Sequence, residues 1–151
     1  MLKRLTIPFA LLTATIAAAD GNGNSNSVAA VNVLVSDKNP ELDQFLWESR
    51  PLVVFADSSS DPRFIQQMDF INDGINDMAE RDVIVLTDTD PNEKGYLRSK
   101  LHPRGFMLVL IGKDGIIYLR KPFPWDAREI SRVIDKMPIR QQEIRDRRGK
   151  N

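Results

Sequence analysis

Between residues 50 and 120, short unbroken apolar runs alternate with stretches in which apolar residues return every third or fourth position. Leu52-Val53-Val54-Phe55-Ala56 is continuous and rich in β-branched residues, the pattern of a strand buried on both faces of a parallel sheet. Val83-Ile84-Val85-Leu86 repeats that pattern. Phe106 to Ile111 and Ile116 to Arg120 predict two further strands, and Gly112-Lys113-Asp114-Gly115 between them is a hairpin signal. Val28 to Val35 is apolar and β-branched, and predicts an edge strand.

The helical stretches have equally plain boundaries. Asn39 as cap and Pro40 at the first position predict a short helix with Leu42, Phe45 and Leu46 on one face, ended by Arg50-Pro51. Asp61-Pro62 opens a long helix whose inner face carries Phe64, Met68, Ile71, Ile75 and Met78. Gly74 weakens that helix without ending it, and Glu80-Arg81-Asp82 is the turn out. Asp90-Pro91-Asn92-Glu93 has the form of a capping box before a short helix with Leu97 and Leu101 on its stripe, closed by Pro103 and Gly105. Asp126-Ala127-Arg128-Glu129 opens a last helix lined by Ile130, Val133, Ile134 and Met137, which Pro138 stops. A charged, frayed tail from Arg140 to Asn151 follows.

Strand, helix, strand, short helix, hairpin and final helix make an α/β domain. The first two strands run parallel through a right-handed crossover, and the hairpin strands are antiparallel. A four-stranded mixed sheet with helices on both faces satisfies this order.

The first residues read differently. Lys3 and Arg4 precede a mostly apolar run from Leu5 to Ile16, and Ala17-Ala18-Ala19 offers small residues for cleavage, which together predict a signal peptide over residues 1–19. The apolar run is shorter than the ~20 residues a membrane span needs. Cleavage after Ala30 is the alternative to cleavage after Ala19, since Val28-Ala29-Ala30 also ends in small residues. Asp20 to Ser27 is Gly, Asn and Ser, so residues 20–38 read as a flexible lead-in, residues 39–143 as the domain and 144–151 as tail. The expected location is the periplasm or the exterior.

Composition narrows the chemistry. With 151 residues, 42% of them hydrophobic, the chain suits one domain with a core of its own. Lys and Arg number 21 and so do Asp and Glu, so no global field draws it to nucleic acid or an anionic membrane. There is no cysteine, which excludes disulfides, thiolate ligands, lipoprotein processing and thiol catalysis by these residues. A single histidine, His102, excludes His-rich metal sites and reads as a loop residue.

Pro51 to Ala56 with the following helix start resembles the first strand and active-site turn of thioredoxins, and Gly105 to Ile116 resembles their third strand and hairpin. More specifically, Leu42 to about Glu143 is similar to a bacterial domain-of-unknown-function family, itself similar to the P-DUDES domains of animal extracellular proteins, which are peroxiredoxin-like in fold. The stretches that carry this are Leu52 to Phe55, Glu80 to Val83, Gly112 to Gly115 and Ile134 to Gln141. The resemblance implies a thioredoxin-like fold and export, and no activity. It also implies that Ser60-Asp61-Pro62-Arg63 stands where thioredoxins hold Cys-x-x-Cys, and Met107 where they keep a cis-proline. Three parts of one active centre are replaced together.

Two clusters remain as candidate sites. The turn Asp57-Ser58-Ser59-Ser60-Asp61 with Arg63 lies at the carboxyl end of a parallel strand, where open α/β sheets bind ligands; helix capping by Ser60 and Asp61 is the plainer account. Asp57, Asp88 and Asp90 follow the ends of adjacent strands and would have to converge to hold Mg²⁺ or Ca²⁺; turn chemistry is again the plainer account, so no metal and no cofactor is expected. Trp47, Phe123 and Trp125 read as packing residues, with Phe123-Pro124-Trp125 as the alternative of an exposed partner-binding patch. The basic tail, Arg140, Arg145, Arg147, Arg148 and Lys150, is diluted by Glu143 and Asp146 and reads as solvated. The resulting expectation is a non-redox binding or accessory module, with room for an unidentified protein partner but not for nucleic acid or, after leader removal, a membrane. The alternative is an enzyme with non-thiol chemistry at Ser60 to Arg63 and Asp57/Asp88.

Overall fold

A computed structural model describes residues 34–35 and 40–150 of the chain. The expected signal peptide, most of the lead-in and the Asn39 cap lie outside the described residues. Among the described residues five strands form one sheet: β1 (Leu34–Val35), β2 (Arg50–Phe55), β3 (Val83–Asp88), β4 (Met107–Ile111) and β5 (Ile117–Lys121), in the order β1-β3-β2-β4-β5. β2 and β3 are parallel from Arg50 opposite Val83 to Phe55 opposite Asp88, while β4 is antiparallel to both β2 and β5. Strands β2 to β5 are therefore the expected mixed sheet, and β1 adds a two-residue parallel edge to β3.

Every residue of β2 is buried, because both faces of the sheet are covered. Leu52 and Val54 point into one core with Val85, Leu108 and Leu110, beneath α1 (Pro62–Asp73), α2 (Ile75–Glu80) and α4 (Ala127–Asp135). Val53 and Phe55 point into the other with Leu86 and Val109, beneath α3 (Tyr96–Leu101). The period of two along a strand produces this division.

Several boundaries differ from the pattern reading, each for a local reason. The segment before β2 is a 3-10 turn, Leu42–Phe45, with Glu41 at its cap, and Arg50-Pro51 begins β2 rather than ending a helix. The long helix divides at Gly74, where a Cβ would lie 2.3 Å from the Ala127 Cβ; α4 crosses too closely for any side chain there. Asp90 caps no helix: its carboxylate accepts from Asn92 N–H in a turn, and α3 starts later, with Gly95 at its cap. Pro138 opens another helix, α5 (Pro138–Arg148), as the first-position proline that helices accept.

The segment expected to fray is therefore helical, and it is anchored. Arg140 is 2% exposed and Arg50 fully buried. Arg50 donates to the Arg81 carbonyl at 2.8 Å and to Glu143 at 3.0 Å; Lys113 reaches Asp82 at 2.8 Å and Glu143 at 2.9 Å. Arg81 grips Asp135 with two hydrogen bonds, at 2.9 and 2.8 Å. This network ties α5 to the end of the sheet opposite the β2–α1 turn.

Candidate functional site

The carboxyl ends of β2 and β3 open beside each other, and Ala56 N–H donates to the Asp88 carbonyl at 3.0 Å across the gap. The chain leaves β2 through Asp57 to Ser60, all exposed. Ser60 N–H donates to Ser58 Oγ at 3.1 Å, which shapes the turn. Asp61 then caps α1, accepting from Arg63 N–H at 2.9 Å, with Pro62 at the first position. Sequence and structure agree on this cap.

Arg63 also folds back on Asp61. Its Nε and Nη2 donate to the two carboxylate oxygens at 3.1 and 2.8 Å, and its guanidinium carbon lies 5.7 Å from the centre of the Phe106 ring. The hydrogen bond from Arg63 holds the Asp61 carboxyl below its ordinary value, and the same bond raises Arg63. Neither group is available as a proton carrier near neutral pH. Among the described residues no base is hydrogen-bonded to the Ser60 hydroxyl, and an unassisted serine is a weak nucleophile.

Asp57, Asp88 and Asp90 line one depression of about 460 Å³, together with Ser58, Ser59, Thr87, Thr89 and Glu93. They share a hollow, but they are not equivalent. Asp88 is almost fully buried and accepts from Arg98 Nε at 2.8 Å, while Arg98 Nη2 donates to the Ala56 carbonyl at 2.9 Å. Arg98 thus clips the ends of β2 and β3 together, and its guanidinium stands 5.6 Å from the Phe55 ring centre. Among the described residues, no three His, Cys, Asp or Glu side chains are grouped to hold a metal ion.

Met107 opens β4 opposite Phe55, half-buried, and its sulfur accepts from Arg120 at 3.3 Å. It lines a hollow of about 230 Å³ with His102, Arg104, Phe106, Arg120, Lys121 and Pro122. A larger cavity, about 580 Å³, adjoins it through His102 and Arg104 and is lined by Asp57, Pro91, Lys94, Arg98, Ser99 and Pro103. The pattern reading missed this basic group. Its signal was the presence of Lys94, Arg98, His102 and Arg104 within one short stretch, although only Arg98 of these lies on α3 itself.

The aromatic residues split. Trp125 packs against the core with its backbone N–H and carbonyl both bonded to the buried Gln67 amide, at 2.8 and 2.9 Å. Trp47 and Phe123 do not pack as expected: Trp47 is 70% exposed, at the positive φ of 65° that its tight turn demands, and Phe123 is half exposed. Lys121 covers the Trp125 ring at 4.5 Å and the Phe123 ring at 5.9 Å, so that patch is partly screened by a cation.

Among protein families, the domain of unknown function DUF4174 matches residues 41–143. No curated protein matches the chain. Among solved structures, the reduced 2-Cys peroxiredoxin of Plasmodium vivax is similar at a TM-score of 0.51 and 17% identity, covering 68% of this chain and 83% of that one. Prx1a of Plasmodium yoelii, in a form modified at its N-terminus, is similar at 0.50 and 16%, covering 66% and 79%. At such identity the likeness shows the fold alone, which is α/β and thioredoxin-like.

Proposed function

We propose that this chain, which belongs to the DUF4174 family, is a non-redox binding or accessory module that works outside the cytoplasm. One observation carries the reading: the turn that would hold reactive thiols holds a closed Asp61–Arg63 pair and a serine without a base. The Plasmodium vivax relative is a 2-Cys peroxiredoxin by name, and this chain has no cysteine to take either part. The scaffold remains while the reactive groups are absent, which suits recognition better than turnover. Lys3-Arg4, the apolar run and Ala17-Ala18-Ala19 support export. The finer likeness to a bacterial exported branch and to P-DUDES domains points the same way. Among the described residues no helix is long and apolar enough to cross a membrane.

The enzyme alternative needs Asp57 and Asp88 to act together. Asp88 is already neutralised by Arg98, which weighs against it. The test is crosslinking in intact secreting cells, with the captured species identified after fractionation. The proposal expects the chain outside the cytoplasm with one stoichiometric partner, and no insulin reduction or peroxide consumption by the purified protein. Retention in the cytoplasm, or capture of nothing together with a metal-dependent rise in melting temperature, sinks it.

A further inference from the structure

We infer that the cavity beside α3 is a binding site for a small organic anion, with Lys94 and Arg104 taking its carboxylate or phosphate. The inference rests on the binding-module reading and supplies its ligand class. The cavity, about 580 Å³, is within the range of small-molecule sites, roughly 300–1,000 Å³. Among the described residues, the side chains of Lys94, Ser99, His102 and Arg104 make no hydrogen bond or ion pair, although all four line it. Arg98, which also lines the hollow, is by contrast committed to Asp88, and the nearby Arg63 to Asp61. Lys94 and Arg104 are therefore open to an incoming anion at this hollow.

The surroundings favour an anion. Arg120 and Lys121 line the adjoining hollow, so the positive lining continues past His102 and Arg104. Carbonyls at the end of α3 would oppose an anion, but two are occupied. The Arg98 carbonyl accepts from His102 N–H at 2.9 Å, and the Leu101 carbonyl from Arg120 at 2.7 Å. The acidic hollow lies on the other side of the Asp88–Arg98 pair, and Asp57, on the rim shared by both, is within the field of Arg63. Arg104 offers a planar fork that matches carboxylate or phosphate, and Lys94 a point charge. Pro91 and Pro103 give apolar wall, so an anion with an apolar body gains more than a bare ion.

The experiment is calorimetric titration of the folded chain with inorganic phosphate, phenyl phosphate and benzoate at constant ionic strength. The expected order places phenyl phosphate above inorganic phosphate. Arg104→Ala and Lys94→Ala should each weaken phenyl phosphate binding about tenfold, the scale of one lost charge-assisted hydrogen bond. Arg104→Lys should recover part of the loss, and Arg132→Ala on the far helix should change nothing. Lys94, Arg104 and Arg132 are all exposed, and circular dichroism checks that the variants fold. Absence of saturable binding at millimolar probe, or binding indifferent to Arg104 and Lys94, overturns the site and leaves the module reading intact. Binding to phosphatidylglycerol vesicles without binding to phenyl phosphate overturns the small-anion assignment. Release of phosphate from phenyl phosphate overturns the module reading itself.

Discussion

At the scale of single residues, the Asp88–Arg98 pair decides how the strand ends are read. Its side chains are 7% and 11% exposed, and the guanidinium also takes the Ala56 carbonyl. A buried charge that loses its partner is costly, because its desolvation is no longer offset. Asp88→Ala should therefore lower unfolding free energy by about 3 kcal/mol, measured by urea denaturation. Adding Arg98→Met should recover part of that loss, since the second change removes the orphaned charge. Equal and additive losses would show that the two side chains do not act as a pair. Asp88 was legible as a strand-end acid, but its partner was not: Arg98 stands ten positions away on a different element, and only the fold brings its fork to the carboxylate. The Asp61 cap was legible because the capping carboxylate and its N–H donor on Arg63 lie within one turn of chain. Arg63 closing on that same carboxylate was not, because several rotamers of a long side chain are compatible with the cap.

At the scale of elements, Gly74 shows the same divide between local and distant causes. Glycine in a helix costs about 1 kcal/mol relative to alanine, which accounts for a weak point but not for a break. The position is held as glycine by α4, since Ala127 occupies the space a side chain at position 74 would need. Gly74 has a φ of −106°, so backbone strain is not the obstacle to a larger residue. Gly74→Ala should thus destabilise by about 2 kcal/mol through overpacking, despite its better helix propensity. Ala127→Gly in the same chain should relieve that clash, so the double variant should lose less than the two single losses combined. A thermal melt of the four proteins checks this, and a stabilised Gly74→Ala would remove the close-approach account. The strands carried no such ambiguity. Four unbroken apolar residues in Val83 to Leu86, three of them β-branched, can be buried on both sides only in a covered sheet. Pro138 was ambiguous because a proline that stops one helix and a proline that starts the next satisfy the same rule.

At the scale of the whole molecule, the sheet has two ends of different electrostatic design. At the β2–α1 end the largely buried Arg98 is paired and the exposed Lys94 and Arg104 border a cavity without carboxylate partners, whereas at the other end buried, paired cations hold α5. Arg140 looked like part of the solvated tail that Arg145, Arg147 and Arg148 do form, because sequence shows the charge and not Glu80, Asp135 and Glu143 gathered around it. This difference sets the pH response. Hydrogen bonds from Arg81 hold the Asp135 carboxyl below its ordinary 3.8. Burial pushes Glu143 upward, but hydrogen bonds from Lys113 and Arg50 outweigh it and leave the group below its ordinary 4.5. Both carboxyls therefore bind fewer protons folded than unfolded at the same pH. Their contribution is fully present above the ordinary values and is lost as pH falls through the depressed ones. Denaturant unfolding should show stability constant down to about pH 5 and declining below it, with the decline continuing under 3.8 as Asp135 protonates. Glu143→Gln keeps the shape but removes the charge facing Arg50, so it should cost about 2 kcal/mol at pH 7 and flatten the acid limb. The α5 amides should lose hydrogen-exchange protection first as pH falls, because that helix depends on these pairs more than on apolar burial. If α5 amides stayed protected while the sheet lost protection, the ionic network would not be what anchors the helix.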